Sequence, residues 1–342
     1  MPEVDSAPAE FHASYLYVAY DGAQAIGVLR INQDSGLVTQ AAPDVFLGDQ
    51  PSHLLVHPTL PYLYVTSATG GFIDGFEIDP YTGNLTEVSG MPVILGGESP
   101  RQMALSPDGM RMSVANGIST PTFRYFDMDP ANGVLNESGD SPMNYGSGAA
   151  NFIVSTPQDF VYIGQSPQTV AAFSFAGGGA NPIGTDQSTN STDPFLATAT
   201  SKNLYVMSQS SIDTYFINPD NGALIFGNTV ATTDNNGAIV RHPSLKVLYV
   251  SPALSEDVEV YPVDDDGLPA SSSMAQIDLI VSSRFMFGPA GRLYVANPFG
   301  DGNFPSISSF RILPDGTLSD RVEFFTPGGV TPADAALKTF SF

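Results

Sequence analysis

Four side chains carry the chemistry needed to bind a small anion and hydrolyse an ester. Arg101 and Arg284 each present a planar guanidinium that can hold a carboxylate or phosphate through paired hydrogen bonds. His53, with an ordinary pKa of about 6.5, can act as a general base on water. Asp334 can orient that histidine, so we predict His53 and Asp334 as catalytic residues and the two arginines as substrate-binding residues.

Each of these residues also has a structural interpretation. The arginines can pair with acids such as Glu98 or Asp334, and a single histidine in an inner strand is commonly a hydrogen-bonded structural residue. His57 and His242 precede prolines in equivalent turns and are expected to be structural. Because the four histidines share no ligand spacing, we predict no His-based metal site.

The amino-acid composition excludes several classes of site and makes one class of partner unexpected. The 342 residues include no Cys and no Trp, which excludes disulfides, thiolate metal sites and Cys nucleophiles. The net charge is -23, with 35 acidic against 12 basic residues, so the surface repels phosphate backbones and nucleic-acid binding is not expected. No apolar run is long enough to span a membrane.

The opening segment "MPEVDSAPAE" gives a signal for the cellular location of the protein. It has neither the basic nor the apolar region of a signal peptide, and it resembles the start of a mature exported chain. We therefore expect an extracellular or periplasmic protein, with a cytoplasmic one as the alternative.

A repeat must position the candidate side chains. Strands of the type "YLYVAY" recur seven times at intervals of 43 to 49 residues, and their central position holds Tyr17, Tyr64, Ser113, Tyr162, Tyr205, Tyr249 and Tyr294. Turns of the type "IDPYTGNL" follow in most repeats. These turns predict positive φ at their glycines, which are Gly83, Gly133, Gly222, Gly267 and Gly316.

The strand pattern of the repeat indicates the architecture. Four short strands per repeat predict an antiparallel sheet, and the second strand is apolar on both faces, which requires a sheet covered on both sides. Radially stacked sheets meet this requirement. We predict an all-β fold: a seven-bladed β-propeller of four-stranded antiparallel blades spanning residues 15–342, after an N-terminal arm at 1–14.

The two ends of the chain predict how the ring closes. No apolar first strand precedes Tyr15, while the segment 333–342 is a first strand without a blade of its own. We expect this C-terminal strand to join blade one as its innermost strand, which removes both sheet edges. Blade four is irregular, and its Gly/Ser/Thr-rich segment 176–193 is predicted to be an exposed loop.

The starts of the inner strands should converge on the central channel, where propeller ligands commonly bind. These positions are His53, Arg101, Asn151, Phe195, Ala238, Arg284 and Asp334. Asn151 and Gln165 complete the predicted substrate-binding set. We expect a small anionic or lactone ligand at the channel mouth, or a protein partner.

Two oxygen-rich loops are candidates for a Ca²⁺ site. They are "DDDG" at 264–267 and "NPFGDGN" at 297–303. Neither follows the ligand order of an EF-hand, and for the first a simple turn is favoured. No other cofactor is expected.

The repeat resembles the lactonase-type propellers, the family of bacterial 6-phosphogluconolactonase and fungal carboxymuconate cyclase. The stretches that carry this resemblance are "SPRQMALSPDGMRMSVAN" at 99–116, "IDPYTGNL" at 78–85 and "SRFMFGPAGRLYVANP" at 283–298. The resemblance implies a seven-bladed propeller with a lactone-hydrolysing site in its channel.

One departure from that family concerns catalysis. Lactone-hydrolysing members carry a Gly-Pro-Arg-His stretch on a mid-ring inner strand and a Glu after the following strand. The mid-ring strands here read "GAANFIVSTP" and "DPFLATAT", with Gln165 and Ser208 at the later position. This favours a lactonase-like propeller that serves as a non-catalytic binding or scaffold module. A divergent lactone hydrolase and a structural component of a surface layer or filament are the alternatives.

Overall fold

Seven antiparallel sheets form the protein. The computed structural model describes residues 12–117, 122–144, 146, 148–175, 177–190, 193–232, 236–252, 257–278, 284–298 and 305–341. The innermost strands of the sheets contact one another in cyclic order around a central channel. The predicted all-β, seven-bladed propeller is therefore confirmed.

The strands follow the repeat. Blade 1 contains β1 (His12–Tyr20), β2 (Ala25–Ile31) and β3 (Val38–Phe46). Blade 2 contains β4 (His53–Val56), β5 (Tyr62–Ser67), β6 (Phe72–Ile78), β7 (Leu85–Glu87) and β8 (Val93–Ile94). Blade 3 contains β9 (Pro100–Leu105), β10 (Arg111–Asn116), β11 (Thr122–Met128), β12 (Leu135–Glu137) and β13 (Met143–Asn144). Blade 4 contains β14 (Ala150–Ser155), β15 (Phe160–Gln165), β16 (Thr169–Ser174), β17 (Asn181–Pro182) and β18 (Gln187–Ser188).

The second half of the ring is more regular. Blade 5 contains β19 (Leu196–Ala199), β20 (Asn203–Ser208), β21 (Ser211–Ile217) and β22 (Leu224–Ala231). Blade 6 contains β23 (Asn236–Arg241), β24 (Val247–Pro252), β25 (Asp257–Pro262) and β26 (Ala275–Asp278). Blade 7 contains β27 (Arg284–Gly288), β28 (Arg292–Asn297), β29 (Ser306–Ile312) and β30 (Leu318–Phe325), and β31 (Pro332–Ser341) returns to blade 1.

Helical structure in the described residues is limited to two 3₁₀ turns, at Pro289–Gly291 and Pro327–Gly329. No helix in this part of the chain could cross a membrane. The segment 176–193, predicted as a loop, contains the short strands β17 and β18, and both pair with β16.

The C-terminal strand closes the ring as predicted. β31 pairs antiparallel with β1, and Ala336 lies opposite Tyr17. β1 begins at His12, so residues 12–14 of the predicted arm belong to the strand, while residues 1–11 lie outside the described residues.

Side chains of β31 also cap the backbone of blade 2. The Asp334 carboxylate accepts a hydrogen bond from the Leu54 N–H (2.8 Å), and Lys338 Nζ donates to the carbonyls of His57 (2.6 Å) and Pro58 (3.0 Å). Burial lowers the pKa of Lys338 to about 8. An inner strand has no neighbour on its channel side, so these bonds satisfy backbone groups that would otherwise need water.

A repeated hydrogen bond joins neighbouring blades. The tyrosine of the second strand in one blade donates its hydroxyl to the carbonyl of the turn glycine in the next blade. The pairs are Tyr17–Gly83 (3.0 Å), Tyr64–Gly133 (2.8 Å), Tyr162–Gly222 (2.8 Å), Tyr205–Gly267 (2.7 Å), Tyr249–Gly316 (2.8 Å) and Tyr294–Gly36 (3.5 Å). The turn repeats because six of the seven blades present this acceptor to a neighbour.

The interface between blades 3 and 4 lacks this tyrosine–glycine pair, because both blades depart from the repeat there. Blade 3 carries Ser113 where the other blades carry tyrosine, and the turn of blade 4 departs from the repeat. In its place, Arg111 pairs with Asp159 of blade 4 (2.9 Å) and lies over the Phe175 ring, 4.1 Å from its centroid. An ion pair with a cation–π contact thus joins blades 3 and 4.

Glycine is required in the turn for two reasons. Gly83 has a φ of 77°, in the left-handed region that favours glycine. A Cβ atom at this position would also lie 2.4 Å from the ring of Tyr15 in blade 1. The turn can approach the neighbouring blade closely enough for the tyrosine bond only without a side chain.

We predict that Tyr64→Phe lowers the free energy of unfolding by about 1–2 kcal/mol, because it leaves the buried Gly133 carbonyl without its donor. Urea unfolding measures this change. Tyr20→Phe is the matched control, since the Tyr20 hydroxyl is buried and has no hydrogen-bond partner among the described residues. Equal losses in the two variants would contradict a specific role for the inter-blade bond.

Candidate functional site

The channel mouth is built from the first residues of the inner strands, four of which are bulged. The pairing registers of β9, β14, β23 and β31 each skip one residue, and the extra residues are Arg101, Asn151, Gly237 and Ala333. A bulge redirects the side chain at the point where regular pairing stops. Arg101, Asn151 and Ala333 line the cavity at the mouth.

This cavity has a volume of about 290 Å³. Five of the six predicted site residues line it, namely His53, Arg101, Asn151, Arg284 and Asp334. They come from five different strands, so only ring closure brings them together. Blade 1 supplies Asp334 through β31, between His53 of blade 2 and Arg284 of blade 7.

Asp334 is the central acid of the cavity. Its side chain is buried, and its Oδ2 lies 2.8 Å from the Leu54 nitrogen and 3.8 Å from His53 Nε2. Its Oδ1 lies 3.6 Å from Arg284 Nε. The Leu54 N–H and the Arg284 guanidinium thus both stabilise this carboxylate, which lies beside His53.

His53 is buried and neutral. Its pKa is lowered to about 4, chiefly by burial; the Asp334 carboxylate opposes this shift only in part, and Arg284 adds to it. No described residue forms a hydrogen bond with His53 Nδ1. A neutral imidazole with an uncommitted nitrogen at a cavity can accept a proton from water.

The two arginines differ in their pairing. Arg284 is one-third exposed and directs Nε towards Asp334, while no described residue pairs with its terminal nitrogens. Arg101 is exposed, and none of the described residues forms an ion pair or hydrogen bond with it. The mouth therefore offers guanidinium donors to an anionic ligand.

Gln102 also lines the cavity, although the sequence pattern did not single it out. It occupies the position equivalent to His53, because Gln102 pairs with Ala115 as His53 pairs with Thr66. Its Oε1 accepts a hydrogen bond from the Ile153 N–H (3.2 Å), which fixes the side chain across the interface of blades 3 and 4. Aligning the inner strands by their pairing with the second strand would have identified it.

Three predicted mouth positions lie elsewhere. Gln165 is buried at the end of β15 and donates to Asp186 (3.0 Å) rather than lining the cavity. Phe195 is 38% exposed just before β19, and its neighbour Leu196 lines the cavity. Ala238 faces a separate, smaller cavity further along the channel.

The candidate Ca²⁺ loops are only partly described. In the first, Asp264 Oδ1 accepts backbone hydrogen bonds from Asp266 (3.0 Å) and Leu268 (2.8 Å), as in a simple turn. Most of the second loop, residues 299–303, lies outside the described residues.

We predict that His53 titrates near pH 4 in the folded protein, against about 6.5 in the unfolded chain. Between these values the unfolded state binds more protons, so stability should fall as the pH falls from 6.5 towards 4. Heteronuclear NMR of the imidazole gives the pKa directly, and His53→Asn should flatten this part of the stability curve. An NMR pKa near 6.5 would contradict the buried neutral state.

The fold matches known lactonase-type propellers. A family model described as lactonase, 7-bladed β-propeller, matches residues 3–95. No curated protein has significant sequence similarity to the chain.

Solved structures resemble the protein over nearly its whole length. A candidate 6-phosphogluconolactonase from Bacteroides uniformis ATCC 8492 is 18% identical, covers 96% of this chain and 99% of its own, and gives a TM-score of 0.79. A second, from Bacteroides fragilis NCTC 9343, is 18% identical with coverage of 98% and 100% and a TM-score of 0.78. The periplasmic gluconolactonase of Pseudomonas aeruginosa is 18% identical with coverage of 95% and 99% and a TM-score of 0.77. At these identities the likeness shows the fold alone: this chain is a seven-bladed β-propeller, and its residues 3–95 are similar to the lactonase family model, in line with the resemblance read from the repeat.

Proposed function

We propose that the channel mouth binds and hydrolyses a small lactone that carries an anionic group. The observation that carries this proposal is one cavity that combines Arg101 and Arg284 with the neutral His53 beside the buried Asp334. The lactonase-type fold supports a hydrolase over unrelated enzyme classes.

The arrangement assigns a role to each residue. The arginines hold the anionic group and stabilise the oxyanion that forms when water adds to the lactone carbonyl. His53 accepts the proton of the attacking water, and Asp334, 3.8 Å away, stabilises the resulting imidazolium. The ring C–O bond then breaks, and the proton passes to the leaving oxygen to give a hydroxy acid.

A second candidate is a non-catalytic binding module that uses the same cavity. It is favoured by the 3.8 Å between His53 and Asp334, which exceeds a hydrogen bond, and by the Leu54 N–H that already occupies Asp334 Oδ2. The absence of the family's Arg-His pair and Glu from the mid-ring strands also favours it. In this case the ligand binds without turnover, or the propeller serves in an assembly.

We further propose that the protein acts outside the cytoplasm. A periplasmic gluconolactonase with the same fold supports this location. Immunoblots of periplasmic, extracellular and cytoplasmic fractions of the producing cells should show the protein in one of the first two. Recovery with a cytoplasmic marker would contradict export.

The catalytic proposal predicts lactonase activity that depends on the mouth. In a pH-stat assay with glucono-δ-lactone, its 6-phosphate and a muconolactone, we expect one of these substrates to turn over above background. His53→Gln should lower kcat/KM by about 100-fold or more, the contribution of a general base. Because its pKa is about 4, the rate should persist from pH 9 to pH 5 and fall towards pH 4.

Two variants complete this test. Arg101→Ala should raise KM for the anionic substrates, whereas Arg30→Ala, which removes an exposed arginine outside the cavity, should match wild type. Background rates for wild type would rule out hydrolysis of these lactones. Saturable calorimetric binding that Arg101→Ala abolishes would then support the binding module, and self-association by light scattering would support an assembly role.

A further inference from the structure

A second cavity lies between blades 5 and 6, on the face opposite the channel mouth. It is formed where β19 and β23 end, whereas the mouth is formed where the inner strands begin. Its volume is about 500 Å³, which falls within the range of roughly 300–1,000 Å³ typical of small-molecule sites.

One position of the repeat that lines this cavity differs from its equivalents in several other blades. The residue two places before the inter-blade tyrosine packs against the turn glycine of the next blade, and in several blades it is aromatic. The aromatic pairs are Tyr15 with Gly83, Tyr62 with Gly133 and Phe160 with Gly222. At the blade 5–6 interface the residue is Asn203, which lies against Gly267 and donates to the Asp266 carbonyl (3.0 Å). A small amide thus stands where three other blades carry a ring, while blades 6 and 7 carry Val247 and Arg292 at this position.

Basic residues are concentrated around this space. Lys202, Arg241 and Lys246 line the cavity together with His242, and two of these are among the chain's three lysines. The lining includes two acids, Asp264 and Asp265, so its formal charge is +1 in a protein of net charge -23.

The acids of the cavity are already engaged by this chain. Asp264 accepts the backbone hydrogen bonds of its own turn, and Asp265 pairs with Lys246. Lys202 differs, because no described residue pairs with its ammonium group.

Arg241 contributes an ordered guanidinium to the same wall. Its Nη1 donates to the carbonyls of His242 (2.7 Å), Leu245 and Val247 (3.0 Å), so the group is held in place. A positioned guanidinium beside an unpaired ammonium favours an oxyanion, since both can donate charge-assisted hydrogen bonds.

We infer that the cavity between blades 5 and 6 is a second anion-binding site, separate from the channel mouth, for a small molecule that carries a carboxylate or phosphate group. It does not depend on the activity proposed for the mouth. The surrounding negative field of the protein makes a local positive site selective, because an anion is repelled elsewhere on the surface.

The test measures binding of inorganic phosphate and of citrate by isothermal titration calorimetry. All variants are made in an Arg101→Ala background, which weakens anion binding at the mouth. We expect saturable binding in this background, and the tighter of the two probes identifies phosphate or carboxylate as the preferred group.

Three variants then locate the site. Lys202→Gln combined with Lys246→Gln should weaken binding about tenfold, as expected for lost charge-assisted hydrogen bonds. Asn203→Phe should abolish binding, because it restores the ring that fills the equivalent space in other blades. Arg30→Gln, which removes one exposed charge outside the cavity, should leave the affinity unchanged.

Several results would overturn the inference. The first is a lack of saturable binding in the Arg101→Ala background, and the second is an unchanged affinity in the double lysine variant. The third is an equal loss of affinity in Arg30→Gln, which would show a response to net charge alone. If Asn203→Phe does not fold, the lysine variant decides, because its exposed side chains are not needed for packing.

Discussion

The hydrogen bond from a tyrosine hydroxyl to the turn glycine of the next blade is the interaction on which the ring depends. It is present at six interfaces, five of them buried and the Tyr205–Gly267 bond partly buried, and it requires a turn that only glycine can form at that distance. It fixes the position of each blade relative to the next. The channel that the inner strands surround therefore has a defined diameter, and side chains at its mouth have defined neighbours.

Ring closure creates the candidate site. Asp334 and His53 are far apart in sequence, yet the C-terminal strand places the carboxylate 3.8 Å from the imidazole and 3.6 Å from Arg284. The same carboxylate accepts a hydrogen bond from the Leu54 N–H, which helps to hold blades 1 and 2 together. Asp334 therefore contributes both to the packing of the ring and to the charge at the channel mouth. Structure and candidate chemistry are coupled here, and changes at Asp334 should affect both.

The two cavities show how a repeat protein gains individual sites. The tyrosine and glycine positions are nearly invariant among these blades, because six of the seven interfaces use them. Other positions are free to change at a single blade. A bulge at Arg101 turns a side chain into the channel, and Asn203 lines the space between blades 5 and 6 at a position where three other blades carry an aromatic ring. Local departures from the repeat are therefore where binding is to be sought.

The sequence by itself determined the number of blades, their strand order, the closure by the C-terminal strand and five residues of the mouth. These follow from short-range patterns, since turns and alternation depend on neighbouring residues. Only the tertiary structure decided that Gln102 and Leu196 line the mouth and that Gln165 instead pairs with Asp186. For Gln102 the reason is pairing register: the bulge at Arg101 changes which residues of β9 face the channel, and the sequence pattern does not mark where a bulge occurs. The tyrosine–glycine bond was likewise decided in three dimensions, because its partners belong to different blades.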